Sequence, residues 1–342
     1  MASPHNMIGP LRPLMISLIV QLSTACIFVE CTAYTMMSSG GGTLMIELPE
    51  AVVIAEQVNQ TLKGKVIKAA IRGNTPSKFT FYSGTPEHYA AVMPGKKAGN
   101  AVADGSLIVI DLLHNTSSPL QLVLGGGGER ILYHTSPATL PKKHQLLLTF
   151  ADDTFLSVSV QGWGAAQLFS STEASKRWCG FDKGLMPTEK GFTPKYFFQL
   201  FTSLPPNDRR SLKEFLVSKP GVRGVGNGYL QDILFRAKLH ARVPATSLSQ
   251  QQQQKLYKAI ITTIGTAIKQ HGRCDELDLF GTPGKYQRIL SSATAGCPCP
   301  ECKTPIEKEP FLGGSVYWCP KCQPKPTPSP PKRRPRPAAP RA

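Results

Sequence analysis

Four cysteines near the end of the chain constrain its fold more than any other feature. The stretch "CPECKTPIEKEPFLGGSVYWCPKC" gives Cys299-x2-Cys302, sixteen residues, then Cys319-x2-Cys322. Each pair lies on a tight knuckle turn with its sulfurs already near metal-ligand separation, so two pairs close one tetrahedral zinc site. Four protein sulfurs leave no open position, which makes the Zn2+ structural, one per chain, and its binding folds a module too short to fold alone. The competing reading, unligated core cysteines, does not explain the spacing. Cys297 is left as a bystander because Cys299 keeps the tighter knuckle. Five of the nine cysteines fall between Cys297 and Cys322. That clustering favours a reducing compartment over a secreted disulfide framework, and so an intracellular protein of the cytoplasm or nucleoid, or of the nucleus in a eukaryote.

Charge points to the partner. The 342 residues carry 39 Lys and Arg against 22 Asp and Glu, a net +17, which favours a polyanion such as nucleic acid or an anionic membrane surface. The tail "PKPTPSPPKRRPRPAAPRA" holds six of those cations and is too rich in proline to pack, so residues 324–342 are expected to be disordered. The body remains basic without it. At the other end, "PLMISLIVQLSTACIFVECTAYTMM" follows Arg12 like a signal-peptide core, but Gln21 and Glu30 interrupt it as a membrane span. Residues 1–44 are expected to be an upstream misread start or a targeting segment, and the body is expected to hold no membrane segment.

From Pro49 the apolar positions Ala51, Ile54, Val58 and Leu62 recur at helical spacing, with Gly64 as the stop. Short β-type runs follow, "KVIKAAI", "LIVIDLL", "LQLVL", "HQLLLTF" and "FLSVSV", separated by turn clusters such as "GGGGER", a sandwich or barrel pattern over residues 45–175. After Trp178 the texture becomes helical, through "SLKEFLVSK", "YLQDILFRAKLH" and "SLSQQQQQKLYKAIITTIGTAIKQHG". A second, helical domain is therefore expected over 176–295, with the cysteine module at 296–323. The glutamine run Gln250–Gln254 reads as a solvated helix face.

Two further segments carry candidate chemistry. In "KPGVRGVGNGYLQDILFRAKLHA", glycines and Asn227 lie between two helices, where backbone can approach another molecule and a helix N-terminus offers N–H groups to a phosphate. Gly226, Asn227 and Arg223 are the candidate contacts, with Arg236 and Lys238 nearby. The bland alternative is an ordinary Gly-rich connection. The segment "LMIELPEAVVIAEQ" looks like the first line of a protein although it begins at Leu44. Its acids Glu47 and Glu50 read by default as helix-start residues complementing the dipole.

"MIELPE", the "GVGNGYLQDILFRA" turn and the finger ending "YWCPKCQ", in that order, resemble the formamidopyrimidine-DNA glycosylase and endonuclease VIII family over roughly residues 45–323. The resemblance implies an α+β fold: an N-terminal helix-fronted β-sandwich and a C-terminal helix-two-turn-helix domain with a zinc-finger β-hairpin. It also implies base-excision repair of double-stranded DNA that contains damaged bases or abasic sites, by N-glycosylase and abasic-site lyase chemistry. Nothing in the sequence constrains the oligomeric state, and a monomer is the default. Family members use a terminal proline amine as a Schiff-base nucleophile, which needs a free, unprotonated terminus. Met45 is then the expected start, and Met45 and Ile46 join Glu47 and Glu50 as candidate catalytic residues.

Three positions depart from the family pattern. Ile46 stands where the proline belongs, Ser106 where the hairpin lysine belongs with Lys96 and Lys97 earlier in the hairpin, and Gly314 where the finger has a phosphate-gripping arginine. Ser106, Lys96 and Lys97 remain candidate DNA contacts. Glu47 matches the acid that protonates the sugar ring oxygen, Glu50 the acid that orients the site, and Asn227 the phosphate-binding turn. A catalytically impaired protein that recognises lesions or abasic sites is the alternative function. A protein-binding ribbon on an unrelated sandwich is a third. Trp163 and Trp178 are expected to fill core rather than to stack on a base.

Overall fold

The structure is a computed structural model that describes residues 45–75, 78–113, 120–170, 184–218 and 221–326. The N-terminal extension, Trp178 and the basic tail beyond residue 326 lie outside the described residues. No helix among the described residues is long and apolar enough to cross a membrane.

Helix α1 (Leu48–Thr61) starts where Glu47, in extended backbone, caps it and Pro49 occupies the first turn. Proline is favoured there because its missing N–H would have had no partner. The Glu50 carboxylate reaches back to the Glu47 N–H at 3.1 Å. The helix ends at Thr61 with Leu62 as its cap, three residues before the turn the sequence places at Gly64.

Strands β1 (Ile67–Ile71), β2 (Thr80–Phe81), β3 (Lys97–Asp104), β4 (Leu107–Leu113), β5 (Leu120–Gly125), β6 (Glu129–His134), β7 (Leu146–Phe150), β8 (Phe155–Val160) and β9 (Gly164–Ser170) follow, with a short helix α2 (Pro86–Val92) inserted after β2. They form a four-stranded sheet ordered β1-β7-β8-β6 and a five-stranded sheet ordered β2-β9-β5-β4-β3. The five apolar runs quoted above account for β1, β4, β5, β7 and β8. Strand β3, "KAGNAVAD", was not among them because its alanines and glycine carry little β propensity; antiparallel pairing with β4 makes the strand. Side chains from both sheets meet in one core, among them Ile108, Ile110, Leu122, Ala166, Leu148, Phe150, Leu156 and Val158, closed on one side by Ile54 and Val58 of α1. That is the helix-fronted sandwich.

Helices α3 (Pro194–Thr202), α4 (Leu212–Val217), α5 (Asn227–Ala237) and α6 (Gln250–Lys269) build a second core of Phe197, Phe201, Phe215, Tyr229, Ile233, Leu256 and Ile260. Leu48, from the first turn of α1, is part of that second core, so one helix is anchored in both lobes. In α6 the glutamines at 250–254 are exposed or half-buried while Leu256, Ile260 and Ile264 are buried, as a solvated face requires. The chain closes with hairpin β10 (Glu307–Phe311) and β11 (Gly314–Trp318). Tyr286 and the Ile289 and Leu290 N–H groups converge on the buried carboxylate of Asp232, which ties the segment before the hairpin to α5.

Candidate active site and nucleic-acid interface

Glu47 lies where the two lobes meet. Its carboxylate accepts hydrogen bonds from the N–H groups of Gly226 and Gly228, both at 2.7 Å, at the start of α5. Beyond standing at the N-cap of α1, Glu47 thus accepts from two of the N-terminal donors of a second helix, about 180 residues further along the chain. Two glycines make the approach possible. A Cβ on Gly224, whose φ is +84°, would lie 2.6 Å from Leu48 Cβ, and one on Gly228 would lie 1.5 Å from Arg273 Nη1.

Arg273 completes the cluster. Its guanidinium places Nη1 3.1 Å from Glu47 Oε1, Nε 3.3 Å from Glu50 Oε1 and Nη2 3.5 Å from Glu276 Oε1, with every one of these side chains about 5% exposed or less. Nη2 also donates to the Met45 carbonyl. Glu50 Oε1 accepts in addition from the Arg273 N–H at 3.0 Å and the Tyr229 hydroxyl at 2.6 Å. Arg130 joins from the sandwich, 2.7 Å from Glu276. Three buried acids thus share two cations. Burial pushes the Glu47 carboxyl above its ordinary value, opposed by Arg273 and by the two backbone donors and reinforced by Glu50. Burial raises Glu276 likewise.

No signal in the sequence points to Arg273. It follows α6 in "KQHGRCDE", matches no motif and lies 226 residues from Glu47. Only the fold brings it under α1.

The candidate DNA contacts divide into two groups. Gly226, Asn227, Arg223 and Ser106 gather at one end of α5. Ser106 occupies the two-residue turn between β3 and β4, next to Gly105 at φ +67°, the glycine-first pattern favoured in tight hairpins. Asp104 of that turn pairs with Arg223. Lys96 and Lys97 lie at the opposite end of the hairpin, where Lys97 faces Leu113. About seven residues of strand, roughly 23 Å, separate them from Ser106, so they do not stand in for the missing hairpin lysine. Lys238 caps the C-terminal end of α5, pairs with Glu301 and is likewise remote from the turn before α5, with Arg236 in the same last turn.

A cation missed in the sequence stands beside Asn227. Lys213, on α4, is buried, and its Nζ donates to the Phe311 carbonyl at 2.6 Å. A Cβ on Gly314 would lie 3.4 Å from that Nζ and 3.5 Å from Asn227 Nδ2. Burial lowers the Lys213 pKa. The space left by the short residue at 314 therefore opens on an ammonium and an amide. Trp163 is half-buried in the β8–β9 turn and lies outside the core clusters, with its carbonyl 2.9 Å from the Gly128 N–H.

The four cysteines meet as the spacing requires. Their Sγ atoms all lie within 4.8 Å of one another, with Cys302 to Cys319 at 3.3 Å and Cys299 to Cys322 at 3.9 Å. Ligands about 2.3 Å from a tetrahedral zinc stand about 3.8 Å apart, so the donor set fits such an ion. Cys297 is not in the cluster.

The formamidopyrimidine-DNA glycosylase H2TH domain matches residues 184–276. Relatives named formamidopyrimidine-DNA glycosylase include one from Bacillus cereus, 27% identical over 285 residues, and one from Geobacillus kaustophilus, 28% identical over 283 residues, each covering 82% of this chain and 100% of the relative. Among solved structures, Lactococcus lactis Fpg bound to DNA containing an oxidised pyrimidine superposes with a TM-score of 0.70 at 22% identity, over 82% of this chain and 100% of that one. The same protein bound to DNA with an abasic site gives 0.70 at 22%. The chain therefore carries the formamidopyrimidine-DNA glycosylase H2TH domain, is similar along most of its length to proteins of that name, and shares the fold of these DNA-bound structures.

Proposed function

We propose that this protein is a DNA repair glycosylase that binds duplex DNA at damaged bases or abasic sites, releases the base and cleaves the abasic strand. The observation that carries this reading is the burial of Glu47 and Glu50 together between the lobes, at the N-terminus of α5 and against Arg273. A carboxyl whose pKa is raised by burial keeps its proton nearer to neutral pH and can deliver it to a sugar ring oxygen. Glu50, held by Tyr229 and the Arg273 N–H, orients Glu47 through the N–H it accepts. Asn227, Gly226, Arg223, Ser106 and Lys213 are the residues offered to the phosphate backbone, and a base for chemistry leaves the stack. The sulfur cluster holds one structural zinc that fixes the β10–β11 hairpin and supplies no chemistry to the reaction. The protein works as an intracellular monomer.

Glu47→Gln tests this reading. Protein beginning at Met45 should lose base release from an oxidised duplex by about 10²–10⁴-fold, with duplex affinity unchanged. Equal activity in the variant would remove Glu47 from the reaction.

A second reading is favoured by Ile46, whose N–H already donates to the Gly127 carbonyl at 2.8 Å, and by Ser106 in the hairpin turn. It is a lesion-binding protein with little turnover. Tight binding of abasic DNA, without base release and without a covalent adduct under borohydride, would select it.

A further inference from the structure

Arg273 is more than a counter-ion to the acids, because it also binds main chain. The peptide unit between Met45 and Ile46 is satisfied at both ends: its carbonyl accepts from Arg273 Nη2 and its N–H donates to the Gly127 carbonyl at 2.8 Å. The Ile46 side chain, 2% exposed, is part of the sandwich core. Gly127 is itself held, its N–H donating to Glu129 Oε2 at 2.9 Å. A part-buried peptide unit paired on both sides is a built element of the fold. Removing Met45 would delete the acceptor and leave a guanidinium N–H without one, among side chains that exclude water. It would also leave the Ile46 nitrogen pointed at a carbonyl.

We infer that Arg273 is a positioning residue that holds the Met45–Ile46 peptide over Glu47, so that the amine presented to an abasic sugar is that of a retained Met45 and not that of Ile46. This rests on the glycosylase reading above and deepens it. One guanidinium carries the Glu47 carboxylate on Nη1 and the Met45 carbonyl on Nη2, and the Met45 nitrogen is two bonds from that carbonyl carbon. The departure from the family's terminal proline is thereby met by a primary amine one residue earlier. Its chemistry balances: the amine condenses with the ring-opened C1′ aldehyde, the N=C1′ bond forms as the C=O bond breaks, and the oxygen leaves as water with the two amine protons.

Three proteins test it: one beginning at Met45, one beginning at Ile46 after cleavage of a fusion, and the Met45 form with Arg273→Lys. Each is incubated with a duplex containing an abasic site under borohydride, the adduct is mapped by mass spectrometry, and duplex affinity is read by anisotropy. The Met45 form should be trapped through Met45, and the Ile46 form about a hundredfold more slowly, as expected for a reacting group displaced by an ångström or more. Arg273→Lys, which keeps the charge but loses the fork, should slow trapping at unchanged affinity. A role confined to stability would lower both together. Equal or faster trapping of the Ile46 form, an adduct on another residue, or base release with no adduct in any protein would overturn the inference and leave the glycosylase standing. Failure of all three both to trap and to release an oxidised base would remove the glycosylase reading itself.

Discussion

Glu129 is 1% exposed, and its two carboxylate oxygens are held by the Gly127 and Ala165 N–H groups at 2.9 and 2.7 Å. Burial pushes its pKa up to about 8, against the pull of those donors. The folded state therefore keeps a proton that the unfolded chain releases near pH 4.5, so stability falls as pH rises between those values. Thermal melts from pH 5 to pH 8 should show that decline in the parent protein and a flatter profile in Glu129→Gln. The variant should also be less stable at pH 5, because an amide offers only one oxygen to two donors. Gly228→Ala is the sharper residue-scale test. Its Cβ would fall 1.5 Å from Arg273 Nη1 and 2.6 Å from Glu47 Oε1, so it must break the buried ion pair. Breaking such a pair costs about 3–5 kcal/mol, and a denaturant melt should show a loss of that size.

Among the elements, α5 organises most of the site with its N-terminus and one face. Its N-terminus holds Glu47, its interior Asp232 receives the segment leading to the finger, and Gln231 docks the finger itself. The Gln231 amide accepts from the Tyr317 N–H and donates to the Ser315 carbonyl, both at 3.2 Å, completing the edge of β11 as a neighbouring strand would. In Gln231→Leu the Ser315 carbonyl keeps Asn227 Nδ2 as a donor at 3.2 Å, while the Tyr317 N–H is orphaned. The expected cost is about 1–3 kcal/mol, and amide exchange at Tyr317 should accelerate while exchange in β4 and β5 does not. Elements were legible where they carry strong apolar patterns, as in β4, β7 and α6. They were missed where pairing rather than propensity makes them, as in β3 and in β9, which is antiparallel to β5 and parallel to the two-residue β2.

For the whole molecule, the decisive feature is the meeting of the lobes. Helix α1 contributes to both cores, the β3–β4 turn reaches Arg223, and the acid cluster lies between them. In the proposed DNA binding, a net charge of +17 makes phosphate neutralisation the main source of affinity. For about six phosphate contacts, affinity for an abasic duplex should fall by about 10³ between 50 and 200 mM salt. Fluorescence anisotropy across that range measures it, and a flat response would remove the phosphate contacts from the account.

What the sequence determined by itself was whatever depends on near neighbours along the chain: the cysteine knuckles, the capped start of α1, the Gly-rich turn and the amphipathic helices. Local spacing suffices there because the partners lie within a few residues of each other. It also supplied Glu47, Glu50 and Asn227 as candidates, through their place in ordered motifs. Only the tertiary structure decided that Arg273 holds the acids, that Lys213 stands beside Asn227, and that Lys96 and Lys97 are at the far end of their hairpin from Ser106. Those facts depend on chain segments up to 228 residues apart being packed together, and no periodicity or motif records such a distance.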